Sequence, residues 1–141
     1  MRIAIINGPN LNMLGKREPD IYGNRSFEDY LTELKSVFPD VDFAYYQSNV
    51  EGELVDAIQQ LGSDCEGLVL NAAAYSHTSL AIADAVKTVQ IPVIEVHISN
   101  VYAREPERHR SLLSAYVTGL IVGLGLDGYR LAINHLTSRK P

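Results

Sequence analysis

The 141-residue chain holds one cysteine, Cys65. An internal disulfide is therefore excluded, as is a thiolate pair for a metal. Positive charge is also scarce, with 12 Lys and Arg against 17 Asp and Glu and a net charge of −5. Nucleic-acid binders carry a basic surplus, so no nucleic-acid partner is expected. The longest apolar run near the C-terminus, "AYVTGLIVGLGL", is short and broken by glycine, so no membrane span is expected. The opening "MRIAIINGPN" runs straight into a strand pattern without a signal-peptide layout, and a cytoplasmic location is the expectation. The phosphate-binding fingerprints G-x-G-x-x-G and G-x-x-x-x-G-K-[ST] are missing. So is the G-x-S-x-G elbow of the α/β-hydrolases. No His, Cys or carboxylate set has the spacing of a metal motif. What remains is proton transfer by Tyr and His, with amides and arginines for binding.

Hydrophobic residues make up 46% of the chain and charged residues 21%, an ordinary globular balance. The length fits one domain, 1–141, large enough for a real core. Arg2 to Asn7 reads as a buried strand. Ser26 reads as an N-cap, opening a helix that Pro39 ends, with Tyr30, Leu31, Leu34 and Phe38 on one face. Val41 to Gln47 is a second strand, and Glu51 to Leu61 a second helix. A third strand is expected over Gly67 to Asn71, and a third helix over Thr78 to Val89 with Leu80, Ala81, Ala85 and Val89 inward. Pro92 to Ser99 and Val117 to Val122 complete the strands, and Leu126 to Ser138 is a last helix. Near-continuous apolar strands alternating with helices predict a parallel sheet covered on both faces. In such sheets, ligands bind beyond the carboxyl ends of the strands.

Those ends carry polar groups. The first strand runs into "NGPN", the third into "NAAAYSHTS", and the fourth is "PVIEVHIS". Glu95 and His97, two apart, share one face of an otherwise apolar strand. Such a pair is tolerable only if its members partner each other or a ligand. Two readings stand: a structural Glu–His pair, or an imidazole placed for proton transfer. Asn71 is a buried amide in need of partners, whereas His77 is as readily a plain loop histidine. Asp84 reads equally as a solvated helix-face residue. The run "SNVYAREPERHRS" gathers Arg104, Arg108, His109 and Arg110, and Pro106 and Glu107 open a short helix there. Such runs are mostly solvated surface, yet this one follows the site strand in an acidic protein and suits an anionic ligand.

The loop after the first strand, "NGPNLNMLGKREPDIYG", is far longer than usual. Arg17 precedes Tyr22 by five residues. A guanidinium favours a phenolate, so the two could form a base on a lid; the alternative is that Tyr22 packs the loop down.

Four blocks, "INGPNLNMLGKREPDIYG", "LNAAAYSHTS", "IEVHISNVYARE" and "GLIVGLGLDGYRLAI", in that order, closely resemble type II 3-dehydroquinate dehydratase, the type II dehydroquinase family, over nearly the whole length. The resemblance implies a flavodoxin-like three-layer α/β sandwich with a five-stranded parallel sheet in order 2-1-3-4-5. It implies a homododecamer, a tetramer of trimers, and no metal or organic cofactor. The reaction implied is loss of water from 3-dehydroquinate to give 3-dehydroshikimate, an anti elimination through an enolate. It would serve shikimate-pathway biosynthesis of aromatic amino acids, or quinate breakdown.

By the same resemblance, Tyr22 is the base and Arg17 the lid arginine that lowers its pKa. Asn10 helps hold a water near the enolate oxygen. His97, supported by Glu95, protonates the leaving hydroxyl. Asn71, His77, Arg104 and Arg108 match positions at the substrate. Ile98 and Ser99 match contacts to its carboxylate, and Asp84 an aspartate near a neighbouring subunit's site. Type I dehydroquinases use a lysine Schiff base instead, and none of Lys16, Lys35, Lys87 or Lys140 lies on an apolar strand. The chain departs from the family pattern in three places. Ala73 stands where a glycine is usual, which suggests an altered backbone. Ala83 replaces an arginine before Asp84, and "REPERHRS" replaces a sequence like "REEFRHHS" in the flap.

Overall fold

In the computed structural model, residues 1–16, 18, 20 and 24–139 are described. The strands are β1 (Arg2–Asn7), β2 (Asp42–Gln47), β3 (Gly67–Asn71), β4 (Val93–His97) and β5 (Gly119–Val122). Four α-helices are present among the described residues: α1 (Phe27–Val37), α2 (Glu51–Asp64), α3 (Leu80–Thr88) and α4 (Asp127–Ser138). All strands pair in parallel, in the order β2-β1-β3-β4-β5. This is the flavodoxin-like three-layer sandwich that the resemblance implied.

Strand periodicity sorts the core into its two layers. Ile3 and Ile5 of β1, Val69 of β3, and Ile94 and Val96 of β4 meet Phe27, Tyr30 and Leu34 of α1 and Tyr129, Ile133 and Leu136 of α4. The alternate residues, Ala4, Ile6, Leu68, Leu70 and Val93, meet Leu54 and Ile58 of α2 and Ile82 and Val86 of α3. β3 and β4 are buried along their whole lengths, which explains why they read as unbroken apolar runs. Ser26 caps α1 by accepting from the Asp29 amide at 3.1 Å, as its sequence signature predicts.

The inward face of α3 differs from the expectation. Ile82, Ala83, Ala85 and Val86 are buried, while Leu80 is 69% exposed and Ala81 is exposed. The helix expected over Thr78 to Val89 runs from Leu80 to Thr88, and Ser79 caps it by accepting from the Ile82 amide at 2.9 Å. Residues 80–86 are apolar except at Asp84, so periodicity alone could not choose the face. The strand predicted over Pro92 to Ser99 shortens to Val93–His97, and that over Val117 to Val122 to Gly119–Val122.

The chain passes from β1 outward to β2 and then returns to β3 on the other side of β1. This reversal opens a crevice at the carboxyl ends of β1 and β3. Gly8 holds the two ends together: its amide donates to the Asn71 carbonyl at 2.7 Å. A Cβ at Gly8 would lie 2.5 Å from the Ala72 carbonyl oxygen, a backbone atom with no room to yield. Gly8→Ala is therefore expected to lower stability by about 1–3 kcal/mol, read as a shift in the urea unfolding midpoint.

Candidate active site

β4 delivers its two polar side chains to the α2/α3 face, and there Glu95 finds its partners. His97 Nε2 lies 2.5 Å from Glu95 Oε2, Ser111 donates to the same oxygen at 2.7 Å, and Ser114 donates to Oε1 at 2.8 Å. Burial alone would push the Glu95 carboxyl upward. The bonds from His97, Ser111 and Ser114, with the attraction of the imidazole, more than reverse this and hold it below the ordinary carboxylate range. An ionised carboxylate only accepts, so Nε2 carries the proton of the His97 ring on that side and Nδ1 is left for chemistry.

His97 opens onto a cleft with about 660 Å³ of empty space including its mouth. Three strand-end loops form its walls. After β1 comes Asn10, left-handed at φ 69° with its amide donating to Asn49 Oδ1 at 3.0 Å. Asn71 ends β3 and is followed by Ala73 and His77, and after β4 come Ile98, Ser99, Arg104 and Arg108. Arg104 donates to Ser99 Oγ at 3.2 Å, and Arg108 pairs with Glu105. Pro106 and Glu107 open the 3₁₀ turn that carries Arg108.

His77 stacks on His97 with ring centroids 5.9 Å apart. Its Nδ1 donates to the Arg110 carbonyl at 2.7 Å. Burial lowers the pKa of His77 and, with the nearby His97 and Arg108, outweighs the bond to the Arg110 carbonyl, which acts the other way. The cleft thus joins an imidazole backed by a carboxylate, primary amides, and two guanidiniums in an acidic protein. Among the described residues, no three His, Cys, Asp or Glu side chains converge as metal ligands.

Eight of the residues singled out from the sequence line this one cleft: Asn10, Asn71, His77, His97, Ile98, Ser99, Arg104 and Arg108. Glu95 lies beneath His97. Asp84 does not line the cleft; it sits on the exposed face of α3, bonded to Lys87 at 3.2 Å. Tyr22 and Arg17 lie outside the described residues. Ala73 adopts φ 53°, the left-handed region that glycine favours, so the alanine takes a glycine-type backbone.

Sequence reasoning missed four contributors: Ser111 and Ser114, which bond Glu95, and Tyr129 and Asn7, which form a buried hydrogen-bonded chain behind Asn71. The serines carry no signal, because hydroxyls are common in loops. Asn7 ends an apolar strand just as Asn71 does and could have been found by the same argument.

Together these features describe a flavodoxin-like α/β protein with a carboxylate-backed imidazole, amides and guanidiniums gathered at its strand ends. The family profile described as "Dehydroquinase class II" matches residues 1–137. A protein of Exiguobacterium sp. named 3-dehydroquinate dehydratase is 53% identical over 137 residues, covering 96% of this chain and 94% of the relative. The type II dehydroquinase of Propionibacterium acnes is 44% identical with a TM-score of 0.94, covering 98% of this chain and 97% of that one. The type II dehydroquinase of Butyrivibrio crossotus is 46% identical with a TM-score of 0.94, covering 98% of each chain. The chain belongs to the class II dehydroquinases, a family of lyases.

Glu95 also sets an acid limit on stability. Its folded pKa is depressed, so its contribution is complete above the ordinary carboxylate pKa and is lost as pH falls through the folded value. Glu95→Gln is expected to cost about 1–3 kcal/mol at pH 7, by disrupting a three-donor site. It should also flatten the stability loss between pH 7 and the acid range, which urea titrations at several pH values would measure.

Proposed function

We propose that this cleft dehydrates 3-dehydroquinate to 3-dehydroshikimate by an anti elimination through an enolate, with Tyr22 as base and His97 as acid. The observation that carries the reading is the buried Glu95–His97 pair opening into a cleft lined by Asn71, Arg104 and Arg108. Tyr22 and Arg17 enter through family membership and the matching "GKREPDIYG" block.

The chemistry fits these groups. The proton beside a ketone is already moderately acidic, and the leaving hydroxyl is β to that ketone. Tyr22 removes the proton, with Arg17 favouring the phenolate. Asn10 helps hold a water near the enolate oxygen. Glu95 fixes the His97 ring and supports its doubly protonated form, whose Nδ1–H passes to the departing hydroxyl on the other face and leaves the neutral Nε2–H ring behind. Ile98 and Ser99 contact the substrate carboxylate, Asn71, His77 and Arg108 bind the rest of the substrate, and Arg104 is a second basic residue beside it. Lids that close over such sites exclude water while charge develops.

In this reading the enzyme works in the cytoplasm in shikimate-pathway biosynthesis, with quinate breakdown as the other setting. It assembles as a dodecamer of four trimers, which brings Asp84 near a neighbouring subunit's site. The exposed Leu80 and Asp84 on one helix favour such a contact. Sedimentation is expected to give a mass twelve times the chain's 15.6 kDa.

The direct test mixes chelator-treated protein with 3-dehydroquinate and follows the ultraviolet absorbance of the conjugated enone. A steady rise is expected. Tyr22→Phe and His97→Ala should each lower kcat by about 10²–10⁴-fold. No rise from folded wild-type protein would overturn the reading.

A Schiff base is disfavoured. No lysine among the described residues lines the cleft, and Lys87, on α3, has its pKa held above the ordinary value by the Asp84 hydrogen bond and Tyr116. Borohydride with substrate should therefore leave activity intact; rapid substrate-dependent inactivation would sink the Tyr22 mechanism.

A further inference from the structure

We infer that Tyr129, outside the cleft, is a positioning residue for the reaction, acting through Asn71 and the Ala73 backbone; the inference rests on the dehydration reading above. A chain of hydrogen bonds runs from the cleft into the core. The Ala73 amide donates to Asn71 Oδ1 at 3.1 Å, and Asn71 Nδ2 donates to the Tyr129 hydroxyl at 2.8 Å. That hydroxyl donates to Asn7 Oδ1 at 2.7 Å, and Asn7 Nδ2 reaches the Tyr45 hydroxyl at 3.4 Å.

The direction of this chain is forced. A backbone amide only donates, so Asn71 must turn its oxygen to Ala73 and its nitrogen to Tyr129. Tyr129 has one proton, which goes to Asn7. One N–H of Asn71 then remains for a ligand at the cleft wall. Without the Tyr129 hydroxyl, the Ala73 amide alone is left to orient the Asn71 side chain, and its nitrogen loses its buried partner.

Packing holds the hydroxyl in place. Tyr129 is fully buried, with its ring edge-on to Phe27 at 4.9 Å between centroids. Burial also pushes its phenol far above the ordinary range, so its proton stays on at any working pH. The ring is anchored by α4, its neighbour by α1, and the bridged amides end β1 and β3. The hydroxyl therefore ties two layers of the fold to one site amide. The same chain restrains Ala73 in a left-handed backbone that an alanine rarely adopts.

The test is a double-mutant cycle on the full-length enzyme. Tyr129→Phe keeps the ring and deletes the hydroxyl. It is expected to raise KM for 3-dehydroquinate by roughly 10-fold, with kcat changed less than about 3-fold and the pH profile of kcat unaltered. In an Asn71→Ala background the same change is expected to add less than about 2-fold, because the residue it acts through is gone.

An equal, additive penalty in both backgrounds, or an unchanged KM in the single variant, would overturn the inference. If Tyr129→Phe fails to fold, Asn7→Ala removes the acceptor that orients the Tyr129 proton and runs through the same cycle with the same two outcomes. Absence of wild-type turnover would take down the dehydration reading and this inference together. Wild-type turnover with an unaffected Tyr129→Phe would overturn this inference alone.

Discussion

A carboxylate buried inside a parallel sheet has to be satisfied completely, and Glu95 is satisfied by three donors from two parts of the chain. His97 comes from its own strand; Ser111 and Ser114 come from the segment that returns toward β5. An isolated ionised carboxylate there would be costly enough to change protonation state or expel the strand. The loop from Ile98 to Val117 is therefore tied to the core by the charge it neutralises. That tie also sets where Arg104 and Arg108 stand over the cleft. Leu113, fully buried between the two serines, adds an apolar anchor to the same segment.

The opposite face of the sheet meets a related demand with neutral groups. Asn7 and Asn71 are register partners at the ends of β1 and β3, both buried, and Tyr129 bridges them from α4. One face thus holds a charge-assisted cluster suited to moving a proton. The other holds a neutral amide–phenol chain suited to keeping atoms still. The crevice at the switch point receives one residue from each, His97 and Asn71, beside the loop that carries Asn10.

Two costly backbone choices sit at the same rim. Asn10 and Ala73 are both left-handed, at φ 69° and 53°. Asparagine tolerates that region, whereas for alanine it costs roughly 1 kcal/mol or more. Strain of this kind persists where surrounding bonds over-determine the geometry. Here the Ala73 amide is held by Asn71, and the preceding Asn71 carbonyl by Gly8.

The class of fold, the order of elements and most of the cleft are legible in the residue pattern. Apolar strands buried on both faces leave a strong period, and polar residues at their ends stand out against it. Asn71, Glu95 and His97 are recognisable on that ground alone. The charge run after β4 points to Arg104 and Arg108, the loop after β3 offers His77, and family motifs add Asn10, Ile98 and Ser99. The inward face of α3 is not legible in this way, because Leu80, Ala81, Ile82 and Ala83 are all apolar and only packed neighbours can choose between them. Nor do Ser111, Ser114 and Tyr129 announce that they serve the site. A hydroxyl's role depends on which buried acceptor lies within reach, and partners as distant in sequence as Asn7 and Tyr129 are brought together only by folding.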